Sequence, residues 1–114
     1  MYDFSYSRAS SQDEAIAKHG ASDDARYLAG GMTLIPVLKQ RLDQPTDVVD
    51  LAALDDMRGI HEDGDNIVVK AMSTHHQVFS SELVKTKIPA LAELAGTIGD
   101  PMVRNRGTIG GSLA

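Results

Sequence analysis

The sequence feature that most constrains the fold is a glycine doublet, Gly30-Gly31, between a short apolar run and an amphipathic segment. Residues 27–29 have the composition of a buried strand, and residues 34–42 have the apolar spacing of a helix. Glycines at such a junction let a ligand approach the backbone N–H groups at the helix start, because no Cβ stands in the way. The doublet predicts a strand, loop and helix unit, which either binds phosphate or only relieves strain in the turn.

Helices and strands alternate through the first part of the chain. Ser11 opens a capping-box sequence that predicts a short helix through Lys18. Residues 26–29 and 47–50 are predicted strands, and residues 33–42 form the helix between them. One face of that helix carries Leu34, Leu38, Arg41 and Leu42. This order of elements favours a βαβ-like unit with a small parallel sheet.

The pattern of elements changes near Asp50. An Asp63-Gly64 turn separates two β-prone runs, residues 59–62 and residues 67–70, which predicts an antiparallel hairpin. The chain is therefore predicted to be an α+β protein. We expect a small parallel α/β lobe over residues 1–50 and the start of a second lobe over residues 51–114.

The second lobe is predicted to continue with helices. Residues 74–80 and 81–85 indicate one or two short helices, and Pro89 opens a longer helix that ends at Gly99-Asp100-Pro101. Apolar residues recur at helical spacing along this longer helix, and we expect them to form its buried face. They are Leu91, Leu94, Ala95 and Ile98.

Composition narrows the class of protein. The formal net charge of -5 argues against a general surface for nucleic acids or anionic membranes. The chain has no cysteine, which excludes disulfides, thiolate nucleophiles and cysteine-ligated clusters from it. Any redox chemistry must then be carried by a bound organic cofactor. Neither a signal peptide nor a run of transmembrane length is visible, so we expect a cytoplasmic protein.

A second glycine doublet, Gly110-Gly111, lies in a segment rich in hydrogen-bond donors. Two arginines, an asparagine and a threonine precede it closely, so donors outnumber acceptors and an anion would suit the segment. The glycines alone do not distinguish this interpretation from a tight turn before a strand. The donor residues are Arg104, Asn105, Arg106 and Thr108.

Other candidates for chemistry are weak. His75-His76 suggests a metal ligand pair, but adjacent helical residues point in different directions and no carboxylate cluster has ligand spacing to them. The paired acidic residues along the chain are expected to lie on the surface, with nothing nearby to shift a pKa. We therefore predict no metal site and no catalytic acid, base or nucleophile.

Three segments together resemble a known family. They read AGGMTLIP over residues 29–36, AMSTH over residues 71–75 and IGDPMVRNRGTIGGSLA over residues 98–114. In combination they closely resemble the FAD-binding subunits of the xanthine dehydrogenase family of molybdenum hydroxylases, and within it the medium subunits of the aerobic carbon monoxide dehydrogenase type. The resemblance covers nearly the whole chain.

The resemblance implies an FAD-binding fold of the vanillyl-alcohol-oxidase or p-cresol methylhydroxylase type, with FAD between the two lobes. In the family both glycine loops contact FAD, chiefly at the pyrophosphate and the ribityl chain. Backbone donors and a helix N-terminus can neutralise a diphosphate without a lysine. The positions carried over are Leu28, Ala29, Gly30, Gly31, Met32, Thr33 and Leu34 in the first loop, Thr108, Ile109, Gly110 and Gly111 in the second, and Ile98 beside the cofactor.

The resemblance further implies part of an oxidoreductase complex. Electrons would pass from a molybdopterin-binding large subunit through a 2Fe-2S small subunit to this FAD and then to an external acceptor.

Relatives often have a polar residue at the position of Met32, and family members extend well beyond Ala114. We therefore expect a fragment that is inactive alone. The alternative is a truncated assembly domain that binds no flavin and associates with itself or with partner subunits.

Overall fold

The computed structural model describes residues 1–114, which divide into two compact units, Met1–Asp55 and Asp56–Ala114. The division after Asp50 that the sequence predicts, with one FAD loop in each lobe, stays a prediction. No helix in the structure has the length and apolar character needed to cross a bilayer.

The first unit contains a three-stranded parallel sheet. Its strands are β1 (Ser5–Arg8), β2 (Ala25–Leu28) and β3 (Asp47–Asp50), in the order β1-β3-β2. Helix α1 (Gln12–Gly20) connects β1 to β2, and helix α2 (Leu34–Lys39) connects β2 to β3. The predicted parallel βαβ unit is confirmed. Strand β1 was not predicted, because its Ser-Tyr-Ser-Arg sequence has no apolar run.

Helix α2 is shorter than its sequence pattern predicts. It ends at Lys39, because Gln40 is its C-cap and Arg41 adopts a left-handed backbone with φ of 58°. Of the predicted apolar face only Leu38 is buried, whereas Leu42 lies beyond the helix and is 72% exposed. The buried residues of this unit are Ala9, Ala15, Ala25, Leu38, Pro45, Val48, Val49, Asp50 and Leu54.

The second unit begins with an antiparallel hairpin. A 3₁₀ turn, Asp55–Met57, precedes strands β4 (Ile60–Asp63) and β5 (Asn66–Val69). The pairing of Asp63 with Asn66 leaves a two-residue turn, in which Gly64 has φ of 59°. The predicted hairpin is therefore confirmed, including the position of its turn.

Five short helices complete the second unit. They are α3 (His75–Ser80), α4 (Glu82–Lys87), α5 (Pro89–Gly96), α6 (Pro101–Arg104) and α7 (Ile109–Leu113). The first three confirm the helices predicted after the hairpin, although α5 ends at Gly96, before the predicted end at Gly99, and leaves Ile98 outside the helix. The last two were not predicted, because each has only a few residues and depends on an N-cap, Asp100 for α6 and Thr108 for α7.

The core of the second unit lies where α3, α4 and α5 pack together. Its fully buried side chains are Val78, Val84, Ala92 and Ala95. The buried face predicted for α5 is therefore partly wrong: Ala95 is buried as expected, but Leu94 is 61% exposed. The part of α5 that packs in this core carries Ala92 and Ala95, and Leu94 lies on a different side of the helix.

Candidate functional site

The first glycine loop follows the carboxyl end of an edge strand. Strand β2 ends at Leu28, and α2 begins at Leu34 after its N-cap residue Thr33. The N–H of Leu51 donates to the carbonyl oxygen of Leu28 at 2.9 Å, which fixes the end of the strand. Loops at the carboxyl ends of parallel strands are the usual place for ligands in α/β folds.

Gly31 is required by the geometry of this loop. Its φ is +77°, and a Cβ at this position would lie 2.6 Å from Cδ1 of Ile35 and 3.2 Å from Cδ1 of Leu28. Its carbonyl oxygen accepts from the N–H of Ile35 at 3.0 Å, which begins the first turn of the helix. Glycine at position 31 therefore relieves strain in the turn, which is one of the two roles that the sequence predicts for the doublet.

The first loop also presents unpaired backbone donors. No acceptor in the chain receives a hydrogen bond from the N–H groups of residues 30–34. The Thr33 side chain makes no capping hydrogen bond, and the Met32 and Thr33 side chains are exposed. Only water or a ligand can accept from these donors, and their position at the start of a helix suits a phosphate group.

The second glycine loop has the opposite backbone arrangement. The N–H of Ile109 donates to the carbonyl oxygen of Ser73 at 3.0 Å, and the N–H of Gly110 donates to the carbonyl oxygen of Ala71 at 2.8 Å. The N–H of Gly111 donates to the side chain of Thr108, the buried N-cap of α7, at 3.1 Å. The N–H groups of Ile109, Gly110 and Gly111 are therefore already bonded within the unit, to residues 71–73 and to the Thr108 side chain.

Close packing explains the first glycine of this doublet. A Cβ on Gly110 would lie 2.7 Å from Cβ of Ala71 and 2.8 Å from its carbonyl oxygen. No side chain fits in that space without a movement of the backbone. Gly110 is thus needed to seat α7 on residues 71–73.

Most side-chain donors near this doublet are also used within the unit. Arg104 Nη1 donates to the carbonyl oxygen of Gly99 at 2.9 Å, and Asn105 Nδ2 donates to that of Pro101 at 2.7 Å. The structure shows no hydrogen bond or ion pair from the exposed side chain of Arg106. Among the predicted anion-binding side chains, Arg106 is therefore the one that remains open to a ligand.

Ile98 lies between α5 and α6 and is half-buried. Its N–H donates to Ala95 at 3.3 Å, and its carbonyl oxygen accepts from Arg104 Nη1 at 3.4 Å. These contacts hold its backbone in place. Packing of its side chain beside a cofactor stays a prediction.

His75 makes a structural contact that the sequence patterns did not predict. His75 is buried, and its Nε2 lies 2.9 Å from Oγ of Ser112 in α7. Burial lowers the pKa of His75 from its ordinary value of 6.5. The signal in the sequence is the capping box of Thr74 and Gln77, which fixes His75 as the first residue of α3. His76, the other histidine of the pair, is exposed.

Asp50 also makes contacts that the sequence patterns did not predict. Its carboxylate is buried at the carboxyl end of β3, where it accepts from the Tyr6 hydroxyl and from the N–H of Ala52 at 2.8 Å. The hydrogen bond to Asp50 raises the pKa of Tyr6. These bonds tie β1 to β3 and shape the turn that follows the sheet.

The fold, together with a donor-lined loop after β2, defines a cofactor-binding α+β domain. Residues 2–114 match the family described as the FAD binding domain in molybdopterin dehydrogenase, and the chain belongs to this family. It is 44% identical over 112 residues to the carbon monoxide dehydrogenase medium chain of Hydrogenophaga pseudoflava. It is 38% identical over 112 residues to the glyceraldehyde dehydrogenase medium chain of Sulfolobus acidocaldarius.

The alignments cover most of this chain but less than half of each relative. They include 97% of the chain and 39% of the Hydrogenophaga protein, and 98% and 40% for the Sulfolobus protein. The chain therefore spans about two fifths of the length of these relatives.

Comparison with solved structures supports the assignment of the chain to this family. Carbon monoxide dehydrogenase from Hydrogenophaga pseudoflava, in a form lacking the Mo-pyranopterin moiety of the molybdenum cofactor, superposes with a TM-score of 0.95 at 42% identity, over 98% of this chain and 39% of that chain. Quinoline 2-oxidoreductase from Pseudomonas putida 86 gives a TM-score of 0.95 at 36% identity, over 99% and 40%. The predicted α+β FAD-binding fold, the cofactor FAD and the oxidoreductase family are confirmed.

Proposed function

We propose that the first glycine loop binds the diphosphate of FAD through its backbone. The observation that carries this proposal is the set of unpaired N–H groups of residues 30–34 at the start of α2. A diphosphate can accept from several of these donors at once, and the positive end of the helix adds to the attraction. Leu28, Ala29, Met32 and Leu34 would line this contact through backbone and apolar atoms.

The second glycine loop would contact FAD in a different way. Its N–H groups are used within the unit, so Thr108, Ile109, Gly110 and Gly111 would contact FAD mainly through van der Waals surface. Arg106 would supply a positive charge from its open side chain. Ile98 would pack against an apolar part of the cofactor.

In the complete protein this domain would serve electron transfer. When bound, FAD supplies the redox chemistry, and the residues of this chain bind and orient it. The medium-chain names of the relatives imply that other chains assemble with them. For this chain we propose a molybdopterin-binding large subunit and a 2Fe-2S small subunit as partners. Electrons would pass from the 2Fe-2S clusters through FAD to an external acceptor. A cytoplasmic location stays a prediction.

A titration of the chain with FAD, followed by quenching of flavin fluorescence, tests the proposed binding. Met32→Glu places a negative charge beside the unpaired donors, and we expect it to weaken FAD binding roughly tenfold through repulsion of the diphosphate. Met32→Gln has a similar size without the charge and should stay within about twofold of the original chain. Because Met32 is 41% exposed, neither change should alter folding.

The same titration separates the proposal from the alternative of a flavin-free assembly domain. If the unaltered chain quenches no flavin fluorescence, the proposed binding is wrong for this chain. Sedimentation that shows concentration-dependent self-association without flavin would then favour the assembly domain. Equal FAD affinities for the Met32→Glu and Met32→Gln variants would place the diphosphate away from the first loop.

A further inference from the structure

The second glycine loop is held by one short segment of its own unit. Residues 71–73 accept hydrogen bonds from the N–H groups of Ile109 and Gly110, and Thr74 pairs with Thr108 in an isolated antiparallel bridge. These contacts fix the start of α7. They do not fix its end.

His75 makes the contacts that complete this attachment. Its backbone N–H donates to the carbonyl oxygen of Gly107 at 3.0 Å, just before α7. Its ring Nε2 lies 2.9 Å from Oγ of Ser112, in the last turn of α7. The ring also packs on Gly107, where a Cβ would lie 3.1 Å from its Cδ2. One residue therefore holds the glycine doublet from both sides.

We infer that His75 is the positioning residue of the second FAD loop, and that it holds Gly110 and Gly111 in place through Ser112. This inference rests on the proposed function where it concerns FAD. The attachment of the loop itself does not depend on the cofactor. Residues 71–75, which resemble the family in sequence, would therefore hold the second glycine loop.

Acid should loosen this attachment. The ring is buried, and burial lowers the pKa of His75. Helix α3 packs against α4, α5 and α6. The charged side chains on these three helices are Glu82, Lys85 and Lys87 on α4, Glu93 on α5 and Arg104 on α6. None of them makes a hydrogen bond or an ion pair with the His75 ring. His76 is the other titratable group on α3, and α7 carries none.

Amide hydrogen exchange of the chain without FAD tests the attachment directly. Ser112→Ala removes the ring's partner at an exposed position, and we expect exchange at Ile109 and Gly110 to accelerate roughly fivefold, the factor for one lost hydrogen bond. Exchange in the hairpin at Val68, whose N–H faces its partner His61 across the hairpin, should not change. Equal rates at Ile109 in Ser112→Ala and the original chain would overturn the inference, whether or not FAD binds.

Hydrogen exchange measured at several pH values tests whether the charge of the His75 ring controls the attachment. Exchange at Gly110 should accelerate, relative to the hairpin, as the pH falls below 6.5. His75→Gln keeps a polar group but cannot titrate, so the acceleration should disappear, whereas it should persist in the exposed control His76→Gln. An unchanged acid response in folded His75→Gln would contradict the inference.

FAD affinity in the same variants connects the attachment to function. Ser112→Ala should weaken FAD binding about threefold to fivefold if loop order is required for binding. If Ser112→Ala accelerates exchange but leaves the FAD affinity unchanged, then His75 does not position a cofactor loop and the inference fails. If the original chain binds no FAD while the exchange results hold, only the proposed function fails.

Discussion

The two glycine loops of this chain share a doublet and differ in what their backbones do. In the first loop the N–H groups of residues 30–34 have no partner in the chain, and the N-cap Thr33 leaves the helix start uncapped. In the second loop the N–H groups of Ile109, Gly110 and Gly111 are all bonded, and Thr108 caps the helix. A glycine doublet before a helix therefore does not by itself indicate an anion site. The deciding factor is whether another segment pairs with its donors.

The largest expected effect concerns the packing of the second loop. Gly110→Ala brings a Cβ within 2.7 Å of Ala71, and we expect the free energy of unfolding to fall by about 1–3 kcal/mol. Gly20→Ala is a matched control at the end of α1, where a Cβ meets nothing within 4 Å. Urea denaturation of both variants measures the difference. If both are equally stable, the close approach to Ala71 does not constrain the loop.

A smaller effect is expected from the two N-cap threonines. Thr108→Ala removes the hydrogen bond to the N–H of Gly111 and should lower the free energy of unfolding by about 1 kcal/mol. Thr33→Ala removes no capping bond and should change it by less than about 0.5 kcal/mol. Thr108→Ser, which keeps the hydroxyl, should restore most of the loss. Equal losses for Thr33→Ala and Thr108→Ala in denaturation experiments would remove the contrast between the loops.

The smallest expected effect is a difference in acid response between the two units. In the second unit burial lowers the pKa of His75, so its contribution to stability is present above pH 6.5 and decreases as the pH falls through the lowered value. In the first unit hydrogen bonds from Ser22 and Thr46 lower the pKa of Asp47, whose contribution is present above pH 3.8 and is lost below it. Hydrogen exchange as a function of pH should therefore show the second unit loosening first. Simultaneous loosening near pH 4 would mean that His75 does not control the second unit.

Several elements follow from local sequence signals. The Asp63-Gly64 turn predicted the hairpin, and Pro89 predicted the start of α5, because turn residues and proline restrict the backbone wherever they occur. Strand β1 could not be predicted in this way. Its residues form a strand only because β3 supplies a parallel partner, with Ser5 paired to Asp47.

Burial was also difficult to predict from periodicity. The apolar residues of α5 are spaced for one face, yet the structure buries Ala92 and exposes Leu94. Periodicity shows that a helix has an apolar side, but the partner helices determine which part of that side is covered. In the same way His75, which the sequence suggested only as a metal ligand, is buried and contacts Gly107 and Ser112, which lie far from it in the sequence.

The sequence by itself determined the family, the α+β class and the positions of both glycine loops, because these depend on motifs and on local backbone preferences. Only the tertiary structure decided what each loop can do. Residues 71–75 pair with the second loop and use its donors, whereas no segment pairs with the N–H groups of residues 30–34. The physical reason is that a backbone donor is available to a ligand only where the fold provides no acceptor for it. The two doublets are alike in composition, but the first is a candidate binding site for a diphosphate and the second packs against residues 71–75.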